Sequence, residues 1–214
     1  MIFVLLKALN NKEEMEIKNI SGKQDLQFKK LKELYTGLNQ QINVISRKDM
    51  DAFWTHHVLH SLAITHQFLF EDGTQVMDLG CGGGFPGIPL AIYFPNVHFH
   101  LVDSIGKKLK VVEAVASALE LKNVTVQHIR AEDIRNRKFN GVVSRAVAPL
   151  IDLWKWSHPL LTKPSEKYYG LICLKGGDLH NEISEVNRPV RLWEIYPGIY
   201  NDAWFNEKYI VQVK

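Results

Sequence analysis

"MDLGCGGGFPGIPL", Met77 to Leu90, puts glycine at four of the five positions from 80 to 84, directly after one apolar run and directly before another. Around it, short β-rich runs alternate with longer helical ones. "VMDL" leads into the loop and a helix leaves it through Ile88 to Phe94; "VHFHLVD" follows, then the helical "GKKLKVVEAVASALEL". "VTVQHI" and "GVVSRAV" read as two more strands, "LIDLWKWSHPLL" as a helix and "YYGLICLK" as a fifth strand. Strand and helix in alternation specify a parallel sheet covered on both faces, a doubly wound, Rossmann-like α/β domain. After Lys175 the alternation stops. "VRLWEIYPGIY" and "KYIVQVK" then give an antiparallel pair that ends a mostly parallel sheet.

Upstream, Asp25 to about Phe70 is helical in pattern, with Leu26, Leu31, Leu34, Leu38 and Ile42, then Phe53, Val58, Leu62 and Ile64, at spacings of three to five. The turn cluster "EDGTQ" at Glu71 to Gln75 closes this region. The expected division is an extension and helical cap over 1–72 and the α/β domain over 73–214. The opening "MIFVLL" is too short for a signal-peptide core and has no basic region before it. No stretch approaches the ~20 apolar residues of a membrane span. Cys81 and Cys173 form neither a disulfide framework nor a zinc spacing, which suits a reducing compartment, so a cytoplasmic protein is expected. A net charge of +3 permits a nucleic-acid partner without arguing for one.

A doubly wound sheet binds its ligand beyond the carboxyl ends of the strands, where this loop falls. A phosphate loop needs Lys and Ser or Thr after the last glycine, whereas Phe85, Pro86 and Gly87 follow here. The dinucleotide fingerprint needs a third glycine where Phe85 stands. What remains is Asp78 two residues before Gly80 and Gly82, with a second acid, Asp103, ending the next strand, where it can accept both ribose hydroxyls. Asp78 would favour a cationic group over a phosphate. A ligand with an adenine, a ribose and a cationic amino-acid part, S-adenosylmethionine, matches that set. "RAED" ends the third strand, placing Glu132 and Asp133 over the same crevice, with a solvated loop or helix cap as the plain alternative; Asp103 has a rival role as cap of the helix containing Lys107 to Leu119.

With these residues in hand, the chain resembles the bacterial small-subunit ribosomal RNA guanine-N7 methyltransferases of the glucose-inhibited division protein B type. The resemblance runs from about Leu26 to Lys175 through "QINVISR", "HHVLHSL", "DLGCGGGFPGIPLAI", "LVDSIGKKLKVV", "RAED", "VVSRAVAPL" and "LKGG"; "GFPGIP" and "SRAVAPL" are its specific parts. It implies a class I S-adenosylmethionine-dependent methyltransferase sheet with an N-terminal helical cap, and methyl transfer to N7 of a guanine in 16S ribosomal RNA. It also implies that Gly80, Phe85, Ala131, Glu132 and Arg145 contact the cofactor, with Asp103 the ribose acid of the wider superfamily. Where the family's cap carries Asp, this chain has His60.

N7 of guanine carries an available lone pair, so no general base is expected and no catalytic residue is assigned. His56 and His60 have the spacing of a zinc pair, but no Glu lies between them in the metalloprotease arrangement; a polar helix face packed on the main domain is the expected role, with no metal. RNA contact is expected from His57, Arg130, Arg137 and Lys175, with Lys107, Lys108, Lys110, Arg135, Lys138 and Arg145 adding to a basic rim. Trp154 and Trp156 lie on an apolar helix and are expected in the core rather than stacked on a base. The partner is then 16S RNA or a small-subunit assembly particle, with no membrane and the protein a monomer. The alternatives are a methyltransferase with a small-molecule or protein acceptor and, from another class, a nucleotide sensor or dinucleotide oxidoreductase.

Overall fold

The computed structural model describes residues 17, 19–145, 147–163 and 168–214, so the opening "MIFVLL" lies outside the described residues. Ser21 starts the first helix, α1 (Gly22–Asn39), through a capping box: its hydroxyl accepts from the Gln24 amide, and Gln24 Oε1 accepts from the Ser21 amide at 2.8 Å. The same Gln24 side chain donates to the Ile92 and Tyr93 carbonyls and so ties the cap to the α/β domain. Phe28, Leu31 and Tyr35 form the buried stripe. Leu26, expected on that face, is 60% exposed, because the stripe runs one register away from it. After α2 (Arg47–Asp51), one continuous helical stretch contains a π-helical turn over Trp54–Leu59, α3 (His60–Leu62) and a 3-10 turn over Ala63–His66.

The sheet follows in alternation: β1 (Gln75–Leu79), α4 (Gly87–Tyr93), β2 (His98–Asp103), α5 (Gly106–Ala118), β3 (Val124–His128), β4 (Gly141–Arg145), α6 (Leu150–Ser157), β5 (Gly170–Gly176), α7 (His180–Glu185), β6 (Val190–Glu194) and β7 (Lys208–Val213). The order across it is β3-β2-β1-β4-β5-β7-β6. β7 runs antiparallel to both β5 and β6, as the terminal pair predicts. The sequence pattern does not foresee α7, a six-residue helix without a buried face. β1 and β4 are neighbours, with Asp78 level with Val143, so the strand order reverses between them and opens a crevice at their carboxyl ends.

Side-chain alternation gives the sheet two cores. On one face Val76, Phe99, Leu101, Val143 and Ile172 pack with α4, α5 and the cap residues Phe28, Leu31, Tyr35 and Phe53 in one cluster. On the other, Met77, Leu79, Val102, Val142 and Cys173 pack with Leu150, Leu153 and Trp154 of α6. The cap therefore adds its apolar residues to the same core as the sheet, on the face toward which Asp78 points.

Candidate cofactor site

The loop after β1 is held from both sides. Gly80, Gly82 and Gly84 adopt positive φ (+68°, +56° and +96°), a region in which only glycine rests without strain. At Gly84 an added Cβ would lie 2.7 Å from Ile88 Cγ1, so the loop is closed toward α4; at Gly82 it would meet nothing within 4 Å. From the cap, the buried Tyr35 hydroxyl donates to the Gly83 carbonyl at 2.6 Å. Asp78 lies wholly inside, beneath the loop, where its Oδ2 accepts from the Gly87 amide at 2.7 Å and its Oδ1 has no partner. Burial pushes its pKa up to about 7, against the opposing pull of that hydrogen bond.

A cavity of about 310 Å³ opens over the ends of β1, β2 and β3. Its polar wall is Asp103, whose Oδ2 accepts from the Gly82 amide at 2.9 Å and whose Oδ1 accepts from Ile105 at 2.8 Å. Each carboxylate oxygen keeps a further lone pair for a ligand hydroxyl. The bond to Ile105 also closes the turn ahead of α5, so the expected capping role takes this form and coexists with the wall position. Gly80, Ala131 and Glu132 line the same cavity with Leu79, Val102 and Trp156. The donor set fits an adenosine: an acid at ribose position, a backbone made approachable by glycine, and apolar walls.

On the cap side, Arg145 at the end of β4 donates from Nη1 to the His56 carbonyl and from Nη2 to His57 Nδ1, both at 3.0 Å. Its guanidinium carbon lies 5.2 Å from the centre of the Phe85 ring. Desolvation lowers the Arg145 pKa to about 10, so it remains a cation at neutral pH. His57 packs between Phe53 and Phe85; burial, with Arg145 adding to it, drops its pKa to about 3. One step outward, the His56 ring stacks on Trp204 at 4.0 Å and pairs with Asp49 at 2.9 Å.

The family model described as rRNA small subunit methyltransferase G matches residues 24–197. The chain belongs to the GidB family. A relative named ribosomal RNA small subunit methyltransferase G, from Phocaeicola vulgatus, is 51% identical over 197 residues, covering 91% of this chain and 93% of its own. Among solved structures, a SAM-dependent methyltransferase from Aquifex aeolicus superposes with a TM-score of 0.57 at 13% identity, covering 79% of this chain and 98% of its own. A putative rRNA-methylase from Clostridium thermocellum gives 0.52 at 15% identity, over 74% and 97%. At those identities the two structures show the shared class I methyltransferase fold.

Within this GidB chain the expected residues divide. Gly80, Asp103, Arg130, Ala131 and Glu132 meet at one cavity, with Glu132 exposed and Ala131 buried in a 3-10 turn over Ala131–Asp133. Asp78 lies under the loop, and the Phe85 ring turns into the cap among Tyr35, Phe53 and His57 rather than onto the cavity wall. Three expected RNA contacts have partners within the protein. His57 points inward to Arg145. Lys175 is buried, donating to the Ala148 carbonyl and pairing with Glu182 at 2.7 Å. Arg137 packs over Phe139 and lies 3.0 Å from His100, in the middle of β2 rather than at a strand end. The cap histidines are not a polar face: His60 is buried beside Trp204 and Phe205, and His66 packs on Tyr200. Among the described residues no group of three or more His, Cys, Asp or Glu is placed to hold a metal.

Trp156 is the wall residue that sequence reasoning misassigned. Trp154 is buried as expected, but two residues further on, a helix turns by about 200°. That rotation carries Trp156 out of the core and onto the cavity. Ile105 and Val147, 40% and 45% exposed, complete the apolar rim, and Val147 Cγ1 stands 2.8 Å from where a Cβ on Gly80 would be.

Proposed function

We propose that this chain transfers the methyl group of S-adenosylmethionine to N7 of a guanine in 16S ribosomal RNA, working as a monomer in the cytoplasm. The observation that carries the reading is the cavity over β1, β2 and β3, in which Asp103, Gly80, Ala131 and Glu132 converge within a chain of the GidB family. When bound, the cofactor supplies an electrophilic methyl on a sulfonium. Asp103 would hold the ribose hydroxyls, Ala131 and Glu132 the adenine edge, and Ile105, Val147 and Trp156 would keep water from its faces. Gly82, the Phe85 backbone and Arg145 would take the amino-acid end, with Asp78 buried beneath the loop.

Because guanine N7 already presents its lone pair, these residues need only align donor and acceptor, and alignment supplies up to about 7–11 kcal/mol of a bimolecular barrier. A basic rim favours an RNA acceptor: Lys107 and Lys110 are exposed at the start of α5, Lys108 lines the cavity, and the Arg130 side chain is 71% exposed beside it. No helix among the described residues is long and apolar enough to cross a membrane, which agrees with an RNA enzyme in solution.

The test pairs calorimetry with product mapping. S-adenosylhomocysteine should bind wild type and bind Asp103→Ala at least tenfold more weakly, and 16S RNA incubated with the enzyme and cofactor should gain one reduction- and aniline-sensitive guanine. Cofactor binding with no such site in naked RNA or in partly assembled particles would remove the RNA acceptor and leave a small-molecule or protein one. RNA affinity should also fall steeply with salt.

A further inference from the structure

Arg145 is a largely desolvated cation whose partners are all neutral. Two of its five guanidinium N–H groups go to the His56 carbonyl and His57 Nδ1, the Phe85 ring lies against its carbon, and no carboxylate among the described residues is in ion-pair contact with it. To accept from Arg145, His57 Nδ1 must be unprotonated, which places the ring proton on Nε2. That Nε2 is buried without a hydrogen-bond partner. A buried orphan donor is destabilising, and its persistence calls for a compensating role. The local backbone is equally specialised: the π-helical turn over Trp54–Leu59 brings the carbonyl of one residue and the ring of the next to the same guanidinium, and such turns concentrate at functional sites. Trp204 and Asp49 brace it through His56.

Topology says what the braced cation faces. The adenosine-sized cavity occupies the β1, β2 and β3 ends, so the rest of an extended adenosyl amino acid has to run toward the β1–β4 crevice, where Arg145 ends its strand. We propose that His57 is a positioning residue that, by accepting at Nδ1, fixes the plane of the Arg145 guanidinium so that its uncommitted N–H groups receive the carboxylate of the cofactor. The inference rests on the reading of the cavity as an S-adenosylmethionine site. His57 itself touches neither cofactor nor RNA, and Arg145 is the group that does the binding.

The experiment compares two ligands on three proteins by calorimetry. S-adenosylhomocysteine carries the carboxylate, and methylthioadenosine has the same nucleoside without it. His57→Phe keeps the ring packed on Phe53 and Phe85 but removes the acceptor, while His57→Asn restores an acceptor oxygen near the place of Nδ1. Phe should weaken S-adenosylhomocysteine by about tenfold or more, the usual size of a lost hydrogen bond to a charged group, and leave methylthioadenosine within about twofold. Asn should recover most of the loss. Arg145 Nη signals in ¹⁵N NMR should show slow guanidinium rotation in wild type and Asn, and fast rotation in Phe. Unchanged S-adenosylhomocysteine affinity in Phe, or an equal loss of both ligands in a protein with wild-type melting temperature, overturns the proposal. If Phe does not fold, His57→Ala against Asn decides by the same two ligands. Failure of wild type to bind either ligand overturns instead the reading of the cavity, a separate outcome.

Discussion

Asp78 shows how a single buried carboxyl links the glycine loop to stability. Its one hydrogen bond, from Gly87, does not offset complete burial, so its pKa rises from 3.8 to about 7. Between those values the native state holds a proton that the unfolded chain has lost, and stability therefore falls as pH rises through the window. Asp78→Asn removes the titration in nearly the same volume. The variant should melt higher than wild type at pH 8, by an amount equivalent to roughly 1–3 kcal/mol, with the advantage fading as pH falls toward 5. A pH-independent difference between the two melting temperatures would sink this account. The neighbouring glycines separate stability from binding. Gly84→Ala must place a methyl 2.7 Å from Ile88 Cγ1 in a closed site, at positive φ, and should cost roughly 2–4 kcal/mol by denaturant unfolding. Gly80→Ala meets only the partly exposed Val147, 2.8 Å away, and can push it aside. It should cost about 1–2 kcal/mol of stability, yet raise the Kd for S-adenosylhomocysteine at least tenfold, because the displaced side chain is a cavity wall. Equal stability losses at the two glycines would contradict the contrast.

Elements meet at one polar junction that no local pattern announces. Glu182 of α7 accepts from Lys175 Nζ at the end of β5 and from the Leu150 amide at the start of α6, so a single carboxylate joins three elements. Glu182→Ala leaves a buried ammonium and an uncapped helix amide together, and should destabilise the fold by about 2–4 kcal/mol in urea. Lys175→Met removes the charge along with its need for a partner and should cost less; a larger loss for Met than for Ala would reverse the argument. The same junction marks where sequence reading fails. The parallel strands and α4 to α6 were legible because each buries enough apolar side chain to set a period of two or 3.6, and the place of Asp103 on the cavity wall was legible because it ends a strand. α7 buries no complete face, and the π-helical turn differs from an α-helix in hydrogen bonding, not in composition. Lys175 and His57 read as surface groups because residue type carries no direction; the partners that turn them inward, Glu182 and Arg145, lie up to 88 residues away in sequence.

Across the whole molecule, the cap is joined to the sheet by neutral histidines, and this sets how the protein responds to acid. Desolvation holds His57 at about 3 and His100 at about 4, and it lowers His60 and His66 as well. Each is neutral in the native state but charged in the unfolded chain below 6.5, so the unfolded state binds more protons and stability is lost as pH falls below that value. Asp78 acts in the opposite sense over an overlapping window, returning stability as it is protonated. Four groups against one leave a net loss. Between pH 7 and pH 5 it should amount to roughly 3 kcal/mol after allowance for the partial exposure of His57 and His66, or a fall of about 10 °C in Tm. Three of the four, His57, His60 and His66, lie in the cap helices, so cap contacts should loosen first: hydrogen exchange at Trp54 to His66 should accelerate at pH 5 before exchange in β1 and β4 does. Calorimetric scans at pH 7, 6 and 5 on wild type and Asp78→Asn test the balance directly. The Asn variant lacks the compensating carboxyl and should lose stability more steeply with acid than wild type, whereas a flat wild-type profile across that range would show that the buried histidines are hydrated enough to take up their protons in place.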